Sequence, residues 1–151
     1  MDKTTIAKFA MQDDLVLLAS RLLLAWIFVH EGLSLAMNFD AASSSMAKLG
    51  VPAFALMATI ALQLAAGFAI AVGWYAQLGA AGLGVFCLMT AMLFHTNFVV
   101  RNELLHFEKD IAIAGGMFVL MVRGAGRWSV DSLRRPKPAV SALAGLSAKT
   151  P

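Results

Sequence analysis

Ala53-Phe-Ala-Leu-Met-Ala-Thr59-Ile-Ala-Leu-Gln63-Leu-Ala-Ala-Gly67-Phe-Ala-Ile-Ala-Val-Gly73-Trp74 and Leu78-Gly-Ala-Ala-Gly82-Leu-Gly84-Val-Phe-Cys87-Leu-Met-Thr90-Ala-Met-Leu-Phe94 are two apolar runs joined only by Tyr75-Ala-Gln77. Crossing about 30 Å of hydrocarbon takes roughly 20 residues of helix, and both runs approach that length. A link of three residues forces the second helix back along the first. The pair therefore reads as a membrane helical hairpin.

The flanks repeat the pattern. Upstream, Leu15 to Met37 is a third apolar run, ending at a polar loop from Asn38 to Gly50 with three consecutive serines. Pro52 follows, where a helix start tolerates proline. Downstream, a polar connection from His95 to Glu103 leads to a fourth span, Leu104 to Val122. Its strictly apolar part is short, because His106, Glu108, Lys109 and Asp110 occupy its start. The prediction is an all-α integral membrane protein, an antiparallel four-helix bundle spanning about 15–37, 53–74, 78–94 and 104–122. Residues 1–131 form its domain, and 132–151 form a basic, flexible tail.

Composition points the same way. Of the 151 residues, 60% are hydrophobic, against roughly 45–50% in a soluble domain. Mean hydropathy is +0.75. One soluble core of this size could not hide so much apolar surface, so lipid must cover much of it. The first apolar run follows a polar start with Lys3, Lys8, Asp13 and Asp14 and is too long for a signal-peptide core, so it is expected to stay in the membrane. Cys87 is the single cysteine, which excludes dithiol exchange within one chain. The basic residues form no stripe interleaved with aromatics, which argues against nucleic acid as a partner.

Charge sets the expected orientation. Lys3, Lys8, Arg21, Arg123, Arg127, Arg134, Arg135, Lys137 and Lys149 lie toward the termini, whereas only Lys48, Arg101 and Lys109 lie toward the two longer loops. Positively charged flanks stay cytoplasmic, which places both termini inside and both loops outside.

Ionisable groups within a span cost about 2.5–3.5 kcal/mol at its centre and need a reason. His30 and Glu31 lie in the outer half of the first span, and Gln63 lies near the middle of the second with Thr59 one turn before it. His95 and Asn97 close the third span, and Glu103, His106 and Lys109 open the fourth. The antiparallel arrangement brings these groups to one end, where His30, Glu31, Gln63, His95 and His106 could line one outward-opening pocket. Solvated headgroup-level side chains and simple helix-to-helix hydrogen bonds are the competing structural readings.

Three ligand chemistries compete for that pocket. Glu103 and His106 have the ExxH spacing of a carboxylate-bridged metal bundle, but the second pair that such a centre needs is missing. Glu31, His95 and His106 could form a mononuclear site, and two histidines on different helices could ligate haem. A quinone needs only an apolar slot with a few hydrogen-bonding groups and a proton carrier such as histidine. The quinone is the least demanding of the three, and no resident metal is expected.

Three stretches carry a family likeness: Arg21-Leu-Leu-Leu with Phe28 and Gly32; Gly50-Val-Pro52 with Gln63-Leu-Ala-Ala-Gly67 and Gly73; and Lys109-Asp110, Gly115-Gly116 and the ending Gly124-Ala-Gly126-Arg-Trp-Ser129-Val-Asp131. On these the chain, from about Arg21 to Asp131, resembles the DoxX family of small four-helix bacterial membrane proteins. It departs from the family pattern at Gln63, where many members carry Glu, and at Leu35, where many carry Lys. The resemblance implies a bacterial inner-membrane protein. It also implies a redox setting, since the family takes its name from a subunit linked to thiosulfate:quinone oxidoreductase and other members resemble membrane partners in oxidative-stress complexes.

The leading expectation is therefore a quinone-interacting membrane subunit of a redox system. His30, Glu31, His95 and His106 are the candidates for proton exchange, and Gln63, Thr59, Asn97 and Lys109 the candidates for holding the quinone. Electrons would come from partner subunits, since the chain carries no GxGxxG and no P-loop. The alternative is a non-catalytic anchor or assembly subunit, for which small-residue helix faces such as Ala65, Ala69 and Gly73 offer a route to self-association. A solute carrier or proton path ranks last, because no internal repeat is visible.

Overall fold

In the computed structural model, described here for residues 3–134, the chain is all-α. Six helices occur among the described residues, and no strand: α1 (Lys3–Met37), α2 (Phe39–Lys48), α3 (Ala53–Val72), α4 (Ala76–Phe94), α5 (Arg101–Arg123) and α6 (Val130–Arg134). Three stretches are long and apolar enough to cross a membrane: Met11–Met37, Ala53–Val72 and Ala76–Phe94. α5 is not one of them, because Arg101, Glu103, Glu108, Lys109 and Asp110 load its first half with charge. The tail expected over 132–151 lies, from 135 onward, outside the described residues.

The first half of the chain departs from the sequence expectation in two places. α1 begins a dozen residues before the predicted span. At 35 residues it measures roughly 50 Å, far more than the hydrocarbon needs. The polar loop after it contains α2, a short amphipathic helix with no buried residue. The three serines do not break it: Ser44 Oγ folds back onto the Asp40 carbonyl at 2.8 Å, one turn earlier.

Contacts between the long helices pair rising with falling residue numbers. Gly32 on α1 sits against Gln63 and Leu64, and Gly67 on α3 against Val29 and Phe28. Gly79 on α4 lies on Ala66 and Ile70, and Gly84 on Met117 and Phe118 of α5. The shared core holds Ala25 and Phe28, Ala66 and Ile70, Ala80, Leu83 and Cys87, and Ala114, Met117 and Leu120. Alanine and glycine at these crossings let the backbones approach, which matters where no hydrophobic effect drives helices together. Larger apolar side chains point outward, Leu23, Trp26 and Val119 among them.

The end of the molecule farthest from the histidine loops is tied by charge. Arg21 is 2% exposed, and its guanidinium donates from Nη1 to the Ala125 carbonyl at 2.6 Å and from Nη2 to the Trp128 carbonyl at 2.9 Å. Asp131 accepts from the N–H groups of Tyr75 (2.9 Å) and Ala76 (3.1 Å), and its own N–H donates to the Gly73 carbonyl at 2.8 Å. This carboxylate caps the first turn of α4 from 55 residues away. For that reason α4 starts at Ala76 rather than Leu78, and Tyr75 tolerates a positive φ of 48°. Ser129 Oγ caps α6 by accepting from the Ser132 N–H at 3.2 Å. The segment from Gly124 to Asp131 is thus a structural clasp that joins α1, α3, α4 and α5.

Candidate functional site

At the opposite end, α1, α3, α4 and α5 line a partly open cavity of about 180 Å³, with Met46 of α2 among its lining residues. Its walls follow from helical spacing. Phe28, Glu31 and Leu35 share one face of α1, Thr59 and Gln63 one face of α3, and Phe86 and Thr90 one face of α4. Lys109, Asp110 and Ile113 enter from α5, and His95 from the loop after α4. The volume is close to the roughly 150 Å³ that holds a benzene ring in a packed interior, and below that of a pocket for a drug-sized ligand.

Five of the eight residues singled out in the sequence line this cavity: Glu31, Thr59, Gln63, His95 and Lys109. His30 does not. One residue from Glu31 is about 100° of helix rotation, so His30 is exposed on another face. There it stacks on Trp26, with ring centroids 6.0 Å apart, and lines a separate groove with Leu33 and Ser34. Asn97 is exposed in the α4–α5 loop, outside the cavity wall.

His106 stands just behind the wall. Its ring stacks on His95 at 5.1 Å, with 23° between the planes. His95 Nδ1 lies 2.8 Å from Glu103 Oε2, and Lys109 Nζ lies 3.3 Å from His106 Nδ1. Two rings stacked side by side cannot ligate one haem iron from opposite faces. Among the described residues, no three His, Cys, Asp or Glu side chains gather closely enough to hold a metal ion. The ExxH pair of Glu103 and His106 is instead part of a hydrogen-bonded chain, Glu103–His95 and His106–Lys109, joined by the stack.

Asp110, Thr90 and Cys87 are cavity residues that the sequence reading did not place there. Thr90 Oγ1 lies 2.9 Å from Asp110 Oδ2. Folding the α4–α5 hairpin back near Val100 sets these two opposite one another, so the hairpin register was the signal that could have found them. Gln63 is 7% exposed, and its Oε1 has no hydrogen-bond partner.

Long apolar helices, outward-facing large hydrophobics and a small, mostly apolar cavity with a few polar groups define a helical membrane protein with a candidate site at one end. The comparisons with known proteins make the class specific. The DoxX family model matches residues 16–96. The chain is 33% identical over 125 residues to the inner membrane protein YqjF of Escherichia coli K12, covering 83% of this chain and 96% of that protein. It is 30% identical over 130 residues to the inner membrane protein YphA of the same organism, covering 82% and 93%. The chain belongs to the DoxX family. No solved structure matches it.

Proposed function

We propose that this protein is a quinone-binding membrane subunit of a redox system, working with a partner protein that carries the redox group. In this reading α1, α3, α4 and α5 all cross the membrane with both termini cytoplasmic, and the cavity lies in the outer half. The nine-to-three distribution of Lys and Arg supports that orientation. In this reading the charged start of α5 lies toward the membrane surface, and Asp110, the deepest of its charges, lines the cavity.

The observation that carries the proposal is the cavity: ring-sized, walled by Ile27, Phe28, Phe86 and Ile113, with Thr59 and Gln63 on one side and Thr90 and Asp110 on another. Apolar walls with a few fixed polar groups are what a flat headgroup bearing two opposed oxygens requires. Reduction of a quinone takes up two electrons and two protons. The electrons would come from the partner's redox group. The protons would pass through Glu31 and His95, with Glu103 and His106 connecting His95 to the surface.

The test is calorimetric titration of the detergent-purified protein with a short-chain quinone. Saturable one-site binding is expected, weakened about tenfold or more in a Thr59→Val, Gln63→Leu double variant, as loss of one or two hydrogen bonds dictates. Absence of saturable binding to the wild-type protein would overturn the proposal and leave the anchor role as the better account.

A further inference from the structure

We infer that the cavity holds the reduced, hydroxyl-bearing quinol more tightly than the oxidised quinone. The inference rests on the quinone reading above and adds the oxidation state that the site selects. It comes from counting hydrogen-bond donors and acceptors around the cavity.

One acceptor-only group tips the balance: Thr59 and Gln63 can each donate and accept and so serve either oxidation state, whereas an ionised Asp110 can only accept. Thr90 has one hydroxyl hydrogen, yet its Oγ1 lies 3.1 Å from the Phe86 carbonyl, 2.9 Å from the Cys87 carbonyl and 2.9 Å from Asp110 Oδ2. One hydrogen cannot satisfy three acceptors at full strength. Asp110 is half-buried and has no other hydrogen-bond partner or ion pair among the described residues, while Glu31 is exposed at the cavity's mouth. Gln63 is buried, and its side-chain oxygen lacks a donor. The cavity's potential donors are partly committed: His95 Nδ1 to Glu103, and Lys109 Nζ to His106.

A quinone brings two carbonyl oxygens, which, like an ionised Asp110, can only accept. A quinol of the same skeleton brings two O–H donors. An acceptor left unpaired in a confined site costs more than a paired one gains. The walls contact the ring equally in both forms, so the oxygen substituents decide the difference.

Both oxidation states of one short-chain compound are titrated into the purified protein under anaerobic conditions. The expected result is a quinol affinity about tenfold or more above that of the quinone, the effect of one well-matched hydrogen bond. Asp110→Asn replaces one acceptor oxygen with an amide donor and should lower the quinol-to-quinone ratio several-fold. Asp110→Ala removes the carboxylate outright and should also lower it, which keeps the test decisive if one variant does not fold. Equal or tighter quinone binding by the wild-type protein overturns the inference and leaves the quinone-site proposal standing. A ratio unchanged in the folded variants overturns the assignment of the preference to Asp110. Failure of both forms to bind overturns the inference and the quinone-site proposal together.

Discussion

Arg21 shows how one buried side chain gains its meaning from partners a hundred residues away. A guanidinium at 2% exposure is tolerable only because its planar fork reaches two backbone carbonyls at once. Removing it leaves those carbonyls unpaired and opens a void beneath the clasp. Arg21→Ala should destabilise the protein by about 3 kcal/mol. Arg21→Lys should recover less than half of that, because an ammonium cannot span both carbonyls in the same geometry. Denaturant unfolding in detergent, followed by circular dichroism, measures both. Gly73 belongs to the same knot: its φ is +73°, and a Cβ there would collide with Ser129 and come within 2.7 Å of Arg21 Nη1. The neighbouring pair His30 and Glu31 carries the complementary lesson, since both are exposed, yet one residue of displacement puts Glu31 on the cavity wall and His30 on a different groove.

At the scale of the helix, the glycines of α4 and α5 divide into those that set interhelical distance and those that do not. A Cβ on Gly84 would sit 2.9 Å from Phe118 Cε1 and 3.2 Å from Met117 Cβ, whereas nothing lies within 4 Å of one on Gly115. Gly84→Val should therefore cost about 2 kcal/mol by prising α4 from α5. Gly115→Ala should be neutral or stabilise by about 0.5–1 kcal/mol through helix propensity. Thermal unfolding of the two variants side by side checks the contrast, and a destabilising Gly115→Ala would reveal a contact made by that open face outside the chain. In the sequence the two positions look alike, each a small residue among apolar ones. The rotation of each helix about its axis separates them.

For the molecule as a whole, the proposed orientation is open to direct measurement. Single cysteines introduced at Ser44 and Asn97, both exposed in the segments that join the long helices, should react with a membrane-impermeant maleimide in intact cells. One at Leu133, which is 85% exposed, should react only after the cells are opened. The native Cys87 is 3% exposed and contributes little background. Labelling of Leu133→Cys in intact cells would reverse the charge-based orientation and place the cavity on the cytoplasmic side.

Much of the architecture is written locally. Length and hydropathy mark Met11–Met37, Ala53–Val72 and Ala76–Phe94 as apolar helices, because the drive to bury such a stretch in lipid depends only on its own residues. The turn at Gly73 is equally local, since a left-handed backbone favours glycine. The polar residues gathered at one end could also be recognised from the order of spans and links. The tertiary structure decided which of them share a cavity. It set Thr90 on Asp110, turned His30 away, stacked His106 on His95 behind the wall, and ran Asp131 back to cap α4. Each of these depends on the rotation and register of helices far apart in the chain. Those are fixed by close packing at glycine and alanine crossings, and a step of one residue turns a side chain by about 100°.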